Sequence, residues 1–289
     1  MVATAVITGS EITSVRAPRV KAARQLARRS FRQRTRLFLA EGPQAVREAL
    51  AAQDVAAGPD AKPGLVTELF VTAAARPRHA ELVERAAAAG APVHTVSGEV
   101  MAELAQTVTP QGLLAVCRFL DVPLQQLTAA APRLVVLLAN VRDPGNAGTV
   151  LRTADAAGAG GVIFTDASVD PYNSKCVRAS AGSVFHLPVV VGSPLGDATA
   201  ALTRAGVRVL AADGSARRQL DELEAGGGLA SATAWLFGNE AWGLPDGLVA
   251  LADEAVAVPI YGRAESLNLA AAAAVCLYAS ARAQRPPRE

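Results

Sequence analysis

Short runs of aliphatic residues recur along the second half of the chain at intervals that suit alternating strands and helices. Each run is apolar throughout, which is the pattern of a parallel strand covered on both faces of its sheet. Segments with a helical spacing of apolar residues separate most of these runs. The predicted strands are residues 134–139, 161–165, 187–191, 207–212, 233–238 and 255–258. The pattern predicts an α/β fold built on a parallel sheet.

The first part of the chain alternates in the same way, starting with the strand pattern RLFLAEG and the helix pattern PQAVREALAAQ. It predicts a smaller α/β domain. The stretch DVPLQQLTAAAPRL, residues 121–134, interrupts the alternation with two prolines and several polar residues, as a linker does. We therefore expect two domains, residues 1–125 and residues 126–289. A chain with 51% hydrophobic residues can bury a core in each.

Basic charge is concentrated near the start of the chain. Residues 1–36 contain nine lysines and arginines and one acidic residue, whereas the whole chain has a net charge of only +2. Residues 19–36 predict one amphipathic helix, because an apolar stripe recurs at helical spacing beside a basic row. The stripe consists of Val20, Ala23, Ala27 and Phe31, and the row of Lys21, Arg24, Arg28 and Arg32. A solvated helix face is the alternative, but this excess of charge is more than solubility requires and indicates a polyanion partner.

Several classes of protein are not indicated by the sequence. No apolar run reaches the roughly 18–20 residues that cross a bilayer, and the first residues lack the basic segment and long apolar core of a secretion signal. Cys117, Cys176 and Cys276 have neither disulfide-framework nor zinc-ligand spacing, and the histidines do not cluster with them. We expect a cytoplasmic protein with buried thiols, without a membrane segment and without a metal.

Polar and glycine-rich segments follow three of the predicted strands, where open α/β sheets place their ligand crevice. In the first, NVRDPGNAG, Asn146 is expected to cap the helix that follows. In the second, LFGNEAWGLP, a glycine at 238 allows backbone to approach a ligand, and the carboxylate of Glu240 follows. In the third, VPIYGRAESLN, Ser266 is the expected N-cap and Asn268 lies in the first helical turn.

Each segment taken alone also has a purely structural interpretation. The first fits an ordinary turn followed by Arg152 as a surface residue, and the second fits a Gly-Leu-Pro turn with an exposed glutamate. The helix after the third segment is apolar on every face, so we expect it to be buried on all sides. Its many alanines allow close packing against another helix, including one of a partner subunit.

Together and in this order, the three segments resemble the signature motifs of the SpoU (TrmH-type) RNA 2′-O-ribose methyltransferases of the SPOUT superfamily. Those motifs are N-x-x-x-x-x-N-x-G-x-x-x-R-T-A, F-G-x-E-x-x-G-L and P-x-x-G-x-x-x-S-L-N. Here they are carried by Asn140, Asn146, Gly148, Arg152, Thr153 and Ala154, by Phe237, Gly238, Glu240, Gly243 and Leu244, and by Pro259, Gly262, Ser266, Leu267 and Asn268. The resemblance spans residues 133–284, and LAEGPQAVREAL with TPQGLLAV resembles the substrate-binding domain that often precedes the catalytic one.

This resemblance implies S-adenosylmethionine as methyl donor, a deep trefoil knot in the C-terminal domain and a homodimer. It implies a cofactor pocket formed by Ala212, Gly238, Val258, Ile260 and Leu267. It also implies a catalytic site formed by Asn146, Arg152, Glu240, Ser266 and Asn268. Because a guanidinium stays protonated in proteins, we expect Arg152 to anchor a phosphate or stabilise the developing alkoxide. We expect Arg24, Arg28 and Arg32 to serve RNA affinity, since basic contacts to phosphates add affinity without sequence information.

The predicted function is S-adenosylmethionine-dependent methylation of a ribose 2′-hydroxyl in RNA, with 23S ribosomal RNA as the expected substrate because of the N-terminal domain. The alternatives are a transfer RNA methyltransferase, a ribosomal RNA methyltransferase that confers antibiotic resistance, and a non-catalytic RNA-binding relative. Intact Asn146, Arg152, Glu240 and Asn268 argue against the last of these. A nucleotide-dependent oxidoreductase would need a G-x-G-x-x-G after a strand, which the sequence lacks.

Overall fold

Strands and helices alternate along the protein, and the computed structural model describes residues 10–55, 64–105 and 107–285. The strands are β1 (Leu37–Glu41), β2 (Val66–Thr72), β3 (Val93–Val96), β4 (Leu113–Arg118), β5 (Leu134–Leu138), β6 (Gly161–Thr165), β7 (Val189–Ser193), β8 (Arg208–Ala212), β9 (Arg218–Gln219), β10 (Thr233–Phe237) and β11 (Glu254–Ala257). The helices are α1 (Pro18–Gln25), α2 (Arg29–Thr35), α3 (Pro43–Val55), α4 (Ala80–Ala88), α5 (Gly98–Leu104), α6 (Leu124–Ala129), α7 (Pro144–Ala157), α8 (Ser174–Ala179), α9 (Leu195–Arg204), α10 (Leu220–Ala225), α11 (Asp246–Val249) and α12 (Leu269–Gln284).

The first compact unit comprises Met1–Phe119 and Tyr172–His186. Its four-stranded sheet has the order β1-β4-β2-β3, in which β4 is antiparallel to both of its neighbours and β2 and β3 are parallel. Helix α8, from the later segment, packs on β1, and the rings of Phe119 and Tyr172 stack with centroids 3.9 Å apart. This unit is therefore assembled from two stretches that are distant in sequence.

The basic region near the start of the chain forms two short helices, so the prediction of one continuous helix was wrong. Arg28 has φ −92° and ψ 128°, an extended conformation that separates α1 from α2. Because α1 ends at Gln25, Leu26 is buried and Ala27, which was expected in the apolar stripe, is exposed. Both Leu26 and Ala27 lie in the connection after α1, where side-chain direction no longer follows a 3.6-residue period.

The second compact unit comprises Leu120–Pro171 and Leu187–Glu289. Its seven strands have the order β7-β6-β5-β10-β8-β11-β9, and every neighbouring pair is parallel, which confirms the predicted α/β class. The six predicted strands all form, with ends that differ by at most two residues from the prediction. The two-residue strand β9 was not predicted, because it is too short to carry a periodic pattern. Within the segment predicted as a linker, α6 buries Leu127 against this unit.

Helices cover both faces of the parallel sheet. One face packs against α6 and α9, and the other packs against α7 and α12. On the latter face, the buried indole of Trp235 donates a hydrogen bond from Nε1 to Ser280 Oγ at 2.8 Å. Helix α12 is not buried on all sides in the single chain, since Val275 and Tyr278 are exposed. The sequence could not show this, because a helix face covered by its own chain and one left exposed can have the same apolar residues.

The three cysteines are buried thiols, as predicted. Burial raises the pKa of the Cys276 thiol to about 12, and it raises the pKa of Cys117 as well. Both thiols are therefore protonated at neutral pH and act as apolar core residues.

Candidate active site

The first motif follows β5 and begins with Asn140, which has the left-handed conformation at φ 58°. The cap of α7 is Asp143, whose Oδ1 accepts a hydrogen bond from the backbone N–H of Asn146 at 2.8 Å. The expectation that Asn146 is the cap was wrong, because Pro144 occupies the first helical position and moves the cap upstream. Asn146 therefore lies in the first turn of α7, and its side-chain amide bonds outside the helix.

The second motif forms a tight loop directly after β10. Asn239 and Gly243 exchange two backbone hydrogen bonds of 2.9 Å, and Gly243 has φ 65°, where a side chain would be strained. A Cβ on Gly238 would overlap the carbonyl oxygen of Gly243 and lie 2.7 Å from Leu244 Cγ. The side-chain amide of Asn239 donates to the carbonyl oxygen of Asn140 at 2.8 Å, which ties this loop to the first motif. The loop can therefore close only with glycine at position 238, where no side chain blocks the backbone of Gly243.

Glu240 joins the first two motifs through hydrogen bonds. Its Oε2 accepts from the backbone N–H of Arg142 at 3.2 Å, and its Oε1 accepts from the backbone N–H of Asp143 at 3.1 Å and from Asn146 Nδ2 at 3.3 Å. Hydrogen bonds to a charged acceptor are about twice as strong as neutral ones. One carboxylate therefore holds both the backbone of the first loop and the amide of Asn146.

The third motif completes the same network. The N-cap of α12 is Asn268, whose Oδ1 accepts from the backbone N–H of Ala270 at 2.9 Å. The expectation that Ser266 is the cap was wrong, and sequence could not decide between two residues that cap helices equally well. The Nδ2 of Asn268 donates to Asn146 Oδ1 at 3.1 Å. One continuous chain of hydrogen bonds thus runs from Asn268 through Asn146 to Glu240 and joins the three motifs.

A cavity of about 400 Å³ lies beside this network at the carboxyl ends of β8, β10 and β11. All five predicted cofactor-binding residues line it: Ala212, Gly238, Val258, Ile260 and Leu267. So do three of the predicted catalytic residues: Glu240, Ser266 and Asn268. Sequence reasoning missed Asp213 and Glu265, which also line the cavity. The position of Asp213 immediately after a predicted strand could have revealed it.

The structure does not bring Arg152 into this network. It lies six residues after Asn146 on α7, so its side chain leaves the helix about 120° around the axis from that of Asn146. Arg152 is exposed, and within the described part of the chain its guanidinium makes no hydrogen bond or ion pair. The cavity lining, as far as the described residues define it, includes neither Arg152 nor Asn146.

The three arginines predicted to bind RNA have different environments. Arg24 is exposed and forms an ion pair with Glu103, and Arg28 is exposed. Arg32 is only 2% exposed and donates to the carbonyl oxygens of Leu26 at 2.8 Å and Ala27 at 2.9 Å. These carbonyl groups follow the last turn of α1, so Arg32 holds the two short helices together. Its predicted place in an exposed basic row was wrong.

Tyr261 follows Ile260 in the third motif and is exposed. Its hydroxyl donates to Asp221 Oδ2 at 3.3 Å, and the negative charge of that carboxylate raises the pKa of the phenol. The phenol is therefore protonated at neutral pH and serves as a donor.

The described residues contain no group of three or more side chains that could hold a metal ion, and none of their helices is long and apolar enough to cross a membrane.

A parallel sheet with a cavity at its carboxyl edge, lined by the second and third motif loops and joined to the first through Glu240, is the arrangement of an α/β enzyme with a small-ligand site. Residues 133–278 match the SpoU rRNA Methylase family, and residues 17–115 match the MRM3-like substrate binding domain. The chain is 34% identical over 272 residues to the 23S rRNA (guanosine(2553)-2′-O)-methyltransferase RlmP of Bacillus subtilis (strain 168), covering 93% of this chain and 98% of that protein.

Solved structures agree with this match. The AdoMet-bound rRNA methyltransferase from Sinorhizobium meliloti has a TM-score of 0.78 and 31% identity, covering 94% of this chain and 97% of that chain. The SpoU methyltransferase AviRb from Streptomyces viridochromogenes, in complex with AdoMet, has a TM-score of 0.78 and 28% identity, covering 92% and 98%. The chain therefore belongs to the SpoU rRNA methylase family.

Proposed function

We propose that this protein transfers a methyl group from S-adenosylmethionine to a ribose 2′-hydroxyl of 23S ribosomal RNA. The observation that carries the proposal is the hydrogen-bonded network of Asn268, Asn146 and Glu240, which joins all three motifs beside the cavity. The relative from Bacillus subtilis is named for this reaction on a guanosine of 23S rRNA, and it is matched over nearly its whole length.

The cavity suits the methyl donor in size and chemistry. Its volume lies within the range of pockets that enclose a drug-sized ligand. Val258, Ile260 and Leu267 provide apolar walls for an adenine ring, and the carboxylates of Asp213 and Glu265 suit the cationic end of the molecule. Bound there, the donor supplies an electrophilic methyl group on a sulfonium sulfur, so the chain itself has to position a hydroxyl.

The amides of the network perform that positioning. Asn146 and Asn268 present oxygen and nitrogen atoms that can hold a ribose, and Glu240 fixes Asn146 and the first loop in place. Ser266 lines the cavity and shapes it from the third motif. Arg152 lies outside this network, and we propose that its exposed guanidinium anchors a phosphate of the bound RNA or stabilises the developing alkoxide once RNA is bound. Holding the attacking hydroxyl in line with the methyl group lowers the entropic part of the barrier.

In this proposal residues 1–125 provide the RNA-binding domain and residues 126–289 the methyltransferase domain, except that residues 172–186 belong to the first compact unit. Arg24 and Arg28 are exposed on or beside the basic helices and contact phosphates, while buried Arg32 supports those helices. The match of residues 17–115 to a substrate binding domain supports this division.

We also propose a cytoplasmic homodimer with the trefoil knot of the superfamily, in which Val275 and Tyr278 of α12 face the partner subunit.

The test is methyl transfer from labelled S-adenosylmethionine to protein-free 23S rRNA, followed by mapping of the modified ribose. Incorporation at one ribose that is lost with Asn146→Ala supports the proposal. Total transfer RNA in a parallel reaction tests the alternative substrate, and labelling of transfer RNA alone would overturn the ribosomal assignment. Binding of the donor without methylation of either RNA would indicate a non-catalytic relative.

A further inference from the structure

Trp242 is an exposed aromatic side chain in the second motif, two residues after Glu240. Its side chain is 60% exposed, whereas the other tryptophan of the chain, Trp235, is fully buried. Most of the large apolar side chains in the same unit are packed in its core. An indole left in water next to a site indicates that a ligand or partner covers it.

The loop that carries Trp242 is closed and braced by hydrogen bonds. The backbone hydrogen bonds between Asn239 and Gly243 close it, the Asn239 side chain accepts from the N–H of Ala241 at 2.8 Å, and Glu240 ties it to the first motif. An exposed side chain on a braced loop loses little further conformational freedom when it binds. Trp242 does not line the cofactor cavity as the described residues define it, so its surface lies outside the space for the methyl donor.

Basic side chains on the first and third motif loops favour RNA as the occupant. Arg142 in the first loop and Arg263 in the third are both exposed, and the backbone N–H of Arg142 is bonded to the carboxylate of Glu240 at 3.2 Å. Each of the three loops around the site thus supplies one exposed side chain of a type that binds nucleic acid. Single-stranded RNA is held by stacking its bases on aromatic rings while basic side chains contact its phosphates.

We propose that the indole of Trp242 stacks on the nucleobase next to the methylated ribose, with Arg142 and Arg263 contacting the flanking phosphates. This inference rests on the proposed function and extends it to the way in which the RNA is held. Stacking does not depend on which base is present, since every base has a flat π face. Trp242 therefore contributes RNA affinity, and the recognition of the target sequence lies elsewhere.

The kinetic test compares Trp242→Ala and Trp242→Phe with the wild-type protein on protein-free 23S rRNA. From alanine substitutions of stacking residues, the KM for RNA should rise about 5- to 150-fold with Trp242→Ala, and Trp242→Phe should recover most of it. The KM for S-adenosylmethionine should stay unchanged. The matched control is Leu251→Ala, which removes another exposed apolar side chain of the same unit.

Fluorescence gives a readout that does not depend on turnover. Since Trp235 is buried, RNA binding should quench mainly the emission of Trp242, and Trp242→Phe should abolish that change. A KM for RNA within twofold of wild type in Trp242→Ala, on an enzyme that methylates RNA normally, would overturn the stacking role alone. The stacking role would also be overturned if acrylamide quenching of Trp242 fluorescence decreased with rising protein concentration and did not change on addition of RNA. A second copy of the chain would then cover the indole. Wild-type protein that methylates no RNA would instead refute the proposed function.

Discussion

Replacing Glu240 by glutamine should weaken the hydrogen bonds that position the site residues while leaving the overall fold intact. Glutamine has nearly the same shape but only one acceptor oxygen. Its NH2 group must face either the backbone N–H of Arg142 or the donors of Asp143 and Asn146, which now bond to the two carboxylate oxygens at 3.1–3.3 Å. In either orientation at least one donor loses its acceptor.

The size of the effect follows from these contacts. Glu240 is exposed, so water replaces part of the lost interaction, and the loss is about 1–2 kcal/mol. If this loss falls on the transition state, kcat/KM for RNA drops about 5- to 30-fold. Because Glu240 also lines the cavity, the affinity for S-adenosylmethionine has to be measured separately by calorimetry, and we expect it to change less than the rate.

The assay is the initial rate of methyl transfer to protein-free 23S rRNA at several RNA concentrations. The matched control is Glu222→Gln, a surface substitution at the start of α10, where glutamine supports the same capping box as glutamate. The control should keep wild-type kinetics. A kcat/KM for Glu240→Gln within twofold of wild type would refute the view that this carboxylate orders the site.

The remaining predictions test other parts of the structure. Neutralising Arg24 and Arg28 together should reduce the slope of log affinity against log salt by about 1 per phosphate contact, measured by filter binding of 23S rRNA, and an unchanged slope would remove these helices from the interface. Arg32→Gln should instead lower the free energy of unfolding by about 1.5–3 kcal/mol in urea titrations, because buried carbonyl groups lose a charged donor. Gly238→Ala should cost about 1–3 kcal/mol and weaken S-adenosylmethionine binding in calorimetry, since the new methyl group overlaps a backbone carbonyl of its own loop; unchanged stability and binding would contradict this. The pKa of Cys276 is about 12 in the folded state, above that of a solvated thiol. The free energy that the buried neutral thiol contributes to stability is fully present below the ordinary thiol pKa and is lost as pH rises toward 12. The free energy of unfolding of Cys276→Ser should therefore depend less on pH between about 9 and 12.

Much of the site could be predicted from sequence because parallel strands end at a common edge. Once β8, β10 and β11 are recognised, the residues after them have to lie near one another, and the cavity does contain all five predicted cofactor residues. The roles of the predicted site residues remain predictions for the experiments above. The local sequence also sufficed for the buried cysteines, since free thiols are usually core residues.

Other features depended on contacts that no local pattern contains. Asn146 and Ser266 were each expected to cap a helix, and the caps are Asp143 and Asn268, because several neighbouring residues had equal propensity and the packing of the loops decided. Arg32 is buried because the helix is interrupted at Arg28 and its guanidinium bonds to the carbonyl groups after α1, an interruption that helical periodicity did not reveal.

The sequence by itself determined which segments become strands, because continuous aliphatic runs are stable only when buried within a sheet. It also determined which polar residues stand at the ends of those strands. Only the tertiary structure decided how these residues pair: Glu240 meets the first loop across almost a hundred residues, and Asn268 meets Asn146 across 122. Hydrogen bonds between distant residues require distances of about 3 Å, which depend on how whole elements pack and not on local propensity.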